Sequence, residues 1–125
     1  MTSYLRVLIV AAIVVTVTAP ALASDPTGVW VRADGNTKIK IASCNAALCG
    51  FVAWKRLADA PGRIGQQVFF DMKQSGENEW RGSAFNPEDG NTYSGKITLV
   101  GEALTTTGCV LGGLICKSYD WSRTN

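Results

Sequence analysis

Apolar residues in this chain recur at every second position in short runs, and Gly, Asn, Asp or Pro separates one run from the next. Alternation of period two sends successive side chains to opposite faces, which is strand geometry, and no helical stripe is sustained after residue 24. The runs predict strands over Gly28–Arg32, Thr37–Ser43, Leu48–Arg56, Gln66–Lys73, Glu79–Phe85, Tyr93–Leu99, Leu104–Val110 and Ile115–Arg123. Ile39 and Ile41 share one face of the second, opposite Lys38 and Lys40. Val68, Phe70 and Met72 share a face of the fourth, Trp80, Gly82 and Ala84 of the fifth, and Tyr93, Ile97 and Leu99 of the sixth. Asp34-Gly35-Asn36 supplies the positive φ of a hairpin turn, and Ser75-Gly76 joins the fourth and fifth strands. The longest connection, Leu57 to Ile64 with Pro61-Gly62, suits a short helical turn or a mobile lid. Short links make consecutive strands antiparallel neighbours, and closure of the set removes its edges. The expected fold is therefore all-β: a small antiparallel up-and-down eight-stranded β-barrel.

The N-terminus carries a separate signal. Met1 to Arg6 holds one positive charge, Val7 to Val17 is almost wholly apolar, and Pro20 precedes Ala21-Leu22-Ala23. That is the anatomy of a cleaved signal peptide over residues 1–23, leaving one domain over 24–125. The apolar run is shorter than the roughly 20 residues a spanning helix needs, so no stable membrane insertion is expected after cleavage. About 100 residues remain, enough for one modest core that buries about 65% of its unfolded surface. Because Arg6 lies in the leader, the remainder carries 11 basic against 10 acidic residues, a charge of +1. A charge that small gives no electrostatic basis for binding nucleic acid.

Cys44, Cys49, Cys109 and Cys116 are even in number and sit in a chain read as exported, which predicts two disulfides. Three pairings exist. The local set, Cys44 with Cys49 and Cys109 with Cys116, is favoured because each pair flanks a turn-like stretch. Zinc is a poor alternative: the spacings are not C-x-x-C and the chain holds no histidine.

Gly28-Val29-Trp30 near the start and Trp121-Ser122-Arg123 near the end resemble the lipocalin-like barrels, in which an early Gly-x-Trp packs near a late Arg. First and last strands become neighbours on closure, so Arg123 over Trp30 is the expected contact, with Lys117 or Arg32 as substitutes. A fuller resemblance runs through Asp25-Pro26-Thr27-Gly28-Val29-Trp30, Leu48-Cys49-Gly50, Val52-Ala53-Trp54, Asn86-Pro87-Glu88-Asp89-Gly90-Asn91-Thr92-Tyr93, Gly108-Cys109, Ile115-Cys116-Lys117 and Trp121-Ser122-Arg123. In order and spacing these are similar to the bacterial exported family known as domain of unknown function 2147. Two departures stand out: the segment between Trp54 and Val68 is shorter than usual, and Lys117 replaces a commoner Arg. The resemblance implies a lipocalin-like barrel in the envelope of a Gram-negative bacterium and brings no assigned reaction.

No catalytic constellation emerges from the residues. With no His, a Ser or Thr nucleophile would need a Lys base, and no Ser-x-x-Lys occurs. Glu88 and Asp89, with Asn86 and Asn91, could hold a cation or act as acid and base, but Pro-Glu-Asp-Gly is turn chemistry first. The expectation is a non-enzymatic protein without metal or cofactor, monomeric, that binds a small hydrophobic or amphipathic ligand. Trp54, Phe70, Trp80 and Tyr93 are its expected lining, in a shallow cavity near residues 57–65; Gly28, Trp30, Trp121 and Arg123 are structural. The alternative is an envelope interaction module or protease inhibitor that uses its loops or the arm Ser24–Thr27. A hydrolase of unfamiliar chemistry ranks behind both.

Overall fold

A computed structural model describes residues 8–15 and 25–124; the expected cleavage site at Ala21–Ala23 and Ser24 of the arm lie outside them. Residues 8–15 carry no regular secondary structure and are exposed, and among the described residues no helix is long and apolar enough to cross a membrane. Eight strands follow: β1 (Gly28–Arg32), β2 (Thr37–Cys44), β3 (Ala47–Lys55), β4 (Gln67–Gly76), β5 (Glu79–Asn86), β6 (Asn91–Val100), β7 (Ala103–Val110) and β8 (Ile115–Arg123). Each pairs antiparallel with the next, and β1 pairs with β8 to close the barrel. Leu111–Gly113 forms a single 3-10 turn between β7 and β8. Every predicted strand is present, with ends shifted by a few residues.

Inward side chains fill one core, in which Trp30, Ile41, Met72, Ile97, Leu99 and Leu104 are almost wholly buried. The closing seam places Trp30 opposite Arg123 and Arg32 opposite Trp121. Both expected disulfides form in the local pairing, Cys44 with Cys49 and Cys109 with Cys116.

Irregularities in β3 and β4 overturn the simple alternation. In β3, Lys38 pairs with Trp54 while Ile39 pairs with Val52, so Ala53 is an extra residue and the phase flips beyond it. Trp54 therefore stands on the outer face beside Lys38, whose ammonium lies 5.1 Å from the indole centroid. In β4, Phe70 pairs with Ser83 and Lys73 with Arg81, which leaves Asp71 and Met72 opposite Gly82 alone. Asp71 takes the left-handed conformation of such a bulge, at φ 47°. Met72 stays inward, but Phe69 replaces Phe70 as its inward neighbour. Glycines make room for this: a Cβ on Gly82 would lie 2.4 Å from the Phe70 carbonyl oxygen, and one on Gly50 would lie 2.6 Å from the Phe69 ring.

Up-and-down winding gives the barrel two unlike ends. Loops 33–36, 56–66, 87–90 and 111–114 surround one, called the mouth; loops 45–46, 77–78 and 101–102 and both ends of the barrel sequence lie at the other. The closed end is sealed by Arg123, whose guanidinium carbon lies 4.3 Å from the Trp30 ring centroid. Its Nη1 and Nη2 donate to the carbonyls of Thr27 and Asp25 at 2.8 and 2.7 Å, and the Trp30 indole N–H donates to the Pro26 carbonyl at 2.9 Å. Residues 25–27 are thereby fastened across the barrel floor.

Candidate functional site

The mouth holds a half-open cleft of about 120 Å³. Its lower wall is apolar, built by Ile39, Val68, Phe69, Ala84 and Trp121, which point inward from β2, β4, β5 and β8. Gly108 of β7 lines the cleft as well and sends no side chain into it. The buried hydroxyl of Thr106 is already engaged, accepting the Trp121 indole N–H at 2.9 Å.

The rim is charged and aromatic. Arg32 follows Trp30 by two residues and so points inward at the end of β1, with its side chain only 15% exposed. Asp34 accepts from its Nε at 3.0 and 2.9 Å and pairs with Nη2 at 2.9 Å. Burial opposes the Arg32 charge, but the Asp34 hydrogen bond, with the fields of Asp34 and Glu88, outweighs it and raises the pKa further. In return, Asp34 is held below the ordinary carboxylate range by that same bond. The Arg32 guanidinium lies 5.0 Å from the Tyr119 ring centroid and the Lys117 ammonium 5.4 Å from it. Lys117 and Tyr119 share the inward phase of β8 with Trp121. The Tyr119 hydroxyl raises the Lys117 pKa.

Glu88, on loop 87–90, bridges the two cations, 3.6 Å from Arg32 Nη1 and 3.9 Å from Lys117 Nζ. The loop's backbone is held by other groups. Asn86 Oδ1 accepts the Glu88 N–H, the Asn86 carbonyl accepts the Gly90 N–H, and Asp89 Oδ1 accepts the Asn91 N–H. Tyr93 donates its hydroxyl to Asp89, which lowers the carboxyl pKa and raises that of the phenol. Of the residues singled out in the sequence, Asn86 and Asp89 thus serve the turn with their side chains, as Pro-Glu-Asp-Gly implied, whereas the Glu88 carboxylate faces the two cations.

Residues 56–66 close another side of the rim through Pro61. They hold turns and no helix. Lys55, directed inward opposite Thr37, donates to the carbonyls of Ala58, Ala60 and Gly62 at 3.0, 2.8 and 2.6 Å and fixes the loop from beneath.

The expected lining is not brought together. Tyr93 lines the cleft. Trp80 is buried near the opposite end, beside a shallow hollow that it shares with Leu48, Met72 and Gln74. Trp54 and Phe70 are 40% and 37% exposed on the outer wall, each placed there by the bulge in its own strand. Arg32, Lys117, Tyr119, Glu88 and Phe69 take the places that the aromatic count assigned to Trp54, Phe70 and Trp80. A cation two residues from a buried Trp on an alternating strand was the available signal.

Comparison with known proteins agrees with the fold. Protein HP1028 from the human pathogen Helicobacter pylori, which belongs to the lipocalin family, is similar in structure with a TM-score of 0.65, covering 81% of this chain and 84% of that one. At 14% identity the likeness shows the barrel and nothing finer. No curated protein matches the sequence. Residues 28–123 match the family described as "Uncharacterized protein conserved in bacteria (DUF2147)", and the chain belongs to that family.

Proposed function

We propose that this protein is an exported, non-enzymatic barrel that binds a small amphipathic molecule, or one end of a larger one, at its mouth. The observation that carries the reading is the cleft itself: apolar walls below, and two cations and two tyrosines at the rim. Its size limits the occupant. An apolar cavity of roughly 150 Å³ takes one benzene, and drug-sized ligands need about 300 Å³ or more, so about 120 Å³ suits one ring or a short alkyl chain.

Export is supported by the leader-like residues 1–23 and by two disulfides, which persist in oxidising compartments such as the bacterial periplasm. The interaction-module alternative loses its arm, because residues 25–27 are tied to Arg123 and Trp30. A panel of single-ring and short-chain amphiphiles, charged and neutral, titrated into isotope-labelled protein tests the reading. Members of the panel are expected to move resonances of Thr106, Tyr119 and Trp121 and leave Trp54 and Trp80 in place. A panel that moves no mouth resonance overturns it.

A further inference from the structure

Resting on the mouth as a binding site, the geometry points to an acid as its ligand: a small carboxylate that displaces Glu88 from between Arg32 and Lys117 and inserts a ring or short chain into the cleft. Three observations lead there. The charged residues lining the cleft are Arg32, Lys117 and Glu88, two cations and one anion; Asp34, outside the lining, pairs with one side of the Arg32 fork, and Asp89 is turned to its own loop. Arg32 is also set for an incoming anion. Asp34 occupies the Nε and Nη2 side of its fork, whereas Nη1 has only Glu88 at 3.6 Å, beyond hydrogen-bond range, among the described residues.

Glu88 is moreover replaceable. Its side chain is 46% exposed, and none of the bonds that hold loop 87–90 passes through its carboxylate. It can swing out while the turn stays intact. A ligand carboxylate reaching about 2.8 Å from Nη1 would make the charge-assisted bond that Glu88, at its longer distance, does not. Glu88 is thus an internal occupant of the acid position. A cationic ligand has no equivalent place, because the Tyr119 ring already carries Arg32 and Lys117. An apolar tail suits the wall, which Ile39, Val68, Phe69 and Trp121 line and where the buried Thr106 hydroxyl accepts from Trp121.

Calorimetric titration of the oxidised protein with phenylacetate and hexanoate, beside their uncharged isosteres phenylacetamide and hexanamide, tests the assignment. The acids are expected to bind about tenfold tighter than the amides, a difference that shrinks in high salt. Glu88→Gln is expected to tighten the acids severalfold relative to the amides; Lys117→Gln, at an exposed position, is expected to weaken the acids relative to the amides. Acids and amides that bind equally at the mouth overturn the carboxylate assignment and leave the mouth-binding reading standing. If neither class binds, both fall. Acid binding that Glu88→Gln leaves unchanged or weakens overturns the displacement.

Discussion

Each end of the barrel stacks an arginine on an aromatic ring, and the two stacks are built differently. At the closed end Arg123 lies 4.3 Å from the Trp30 centroid and gives its fork to two backbone carbonyls. Those acceptors belong to the chain's own path and cannot leave without unthreading residues 25–27. At the mouth Arg32 lies 5.0 Å from Tyr119, and its partners are the side chains of Asp34 and Glu88 on two loops. The same pair chemistry seals one end and leaves an addressable charge at the other. Stability should therefore concentrate at the floor and recognition at the rim.

Truncating the two rings is the most direct way to break that division. Trp30 is fully buried, so Trp30→Ala is expected to cost about 3–5 kcal/mol through lost transfer energy, an unfilled cavity and loss of the Arg123 stack. Tyr119 is half-buried at the rim, and Tyr119→Ala is expected to cost about 1 kcal/mol through loss of its cation stacks. Urea midpoints measure both. Equal losses would show that the mouth is as structural as the floor.

How far the sequence led also differs between the two ends. At the floor, Trp30 and Arg123 sit on unbroken alternation close to the chain ends, and closure of the barrel brings them together by topology alone. Strand count, order and the seam were legible for that reason. The cavity lining was not, because alternation carries phase only until an extra residue is inserted. Ala53 and Asp71 each insert one, and Trp54 and Phe70 were misplaced as a consequence. The clue was present in glycines at inward positions of central strands: Gly50 and Gly82 are places where neighbouring chain comes too close for a Cβ. Arg32 and Lys117 lie on uninterrupted phase and were readable as inward cations. Weighing aromatic residues over charge is what hid them.

The disulfides sharpen the comparison, since one lies at each end. Cys44–Cys49 staples the β2–β3 hairpin at the floor, and Cys109–Cys116 joins directly opposed residues of β7 and β8 near the mouth. Their loops are similar in length, so replacing either pair by serine is expected to cost about 2 kcal/mol. Binding is expected to discriminate between them. Lys117 follows Cys116 on β8, and loosening that hairpin moves the rim cation; losing Cys44–Cys49 leaves Arg32, Lys117 and Tyr119 where they are. Urea midpoints together with ligand titration of each variant provide the check. A binding loss common to both would tie the rim to the floor.

The smallest expected effect lies in pH, and it too separates the ends. Asp89 is held below its ordinary value by the Tyr93 hydroxyl and then by the Asn91 amide, so its contribution is present above about pH 4 and is lost as pH falls through its lowered folded value. Tyr93 is raised by the same bond, so its contribution is present below about pH 10 and is lost as pH rises through its elevated folded value. One hydrogen bond thus fails in both directions. At the floor Asp25 is also lowered, by the Thr27 amide, so acid loosens both ends while alkali reaches this bond only at the mouth. Side-chain carbon shifts followed by NMR across the titration are expected to show Asp25 and Asp89 moving together below about pH 4, and Tyr93 moving later than an unperturbed phenol on the alkaline side with Asp25 unaffected. A Tyr93 that titrates at the ordinary phenol value would mean that Asp89 does not hold it, and that loop 87–90 rests on Asn86 and on the bond from the Asn91 amide to Asp89.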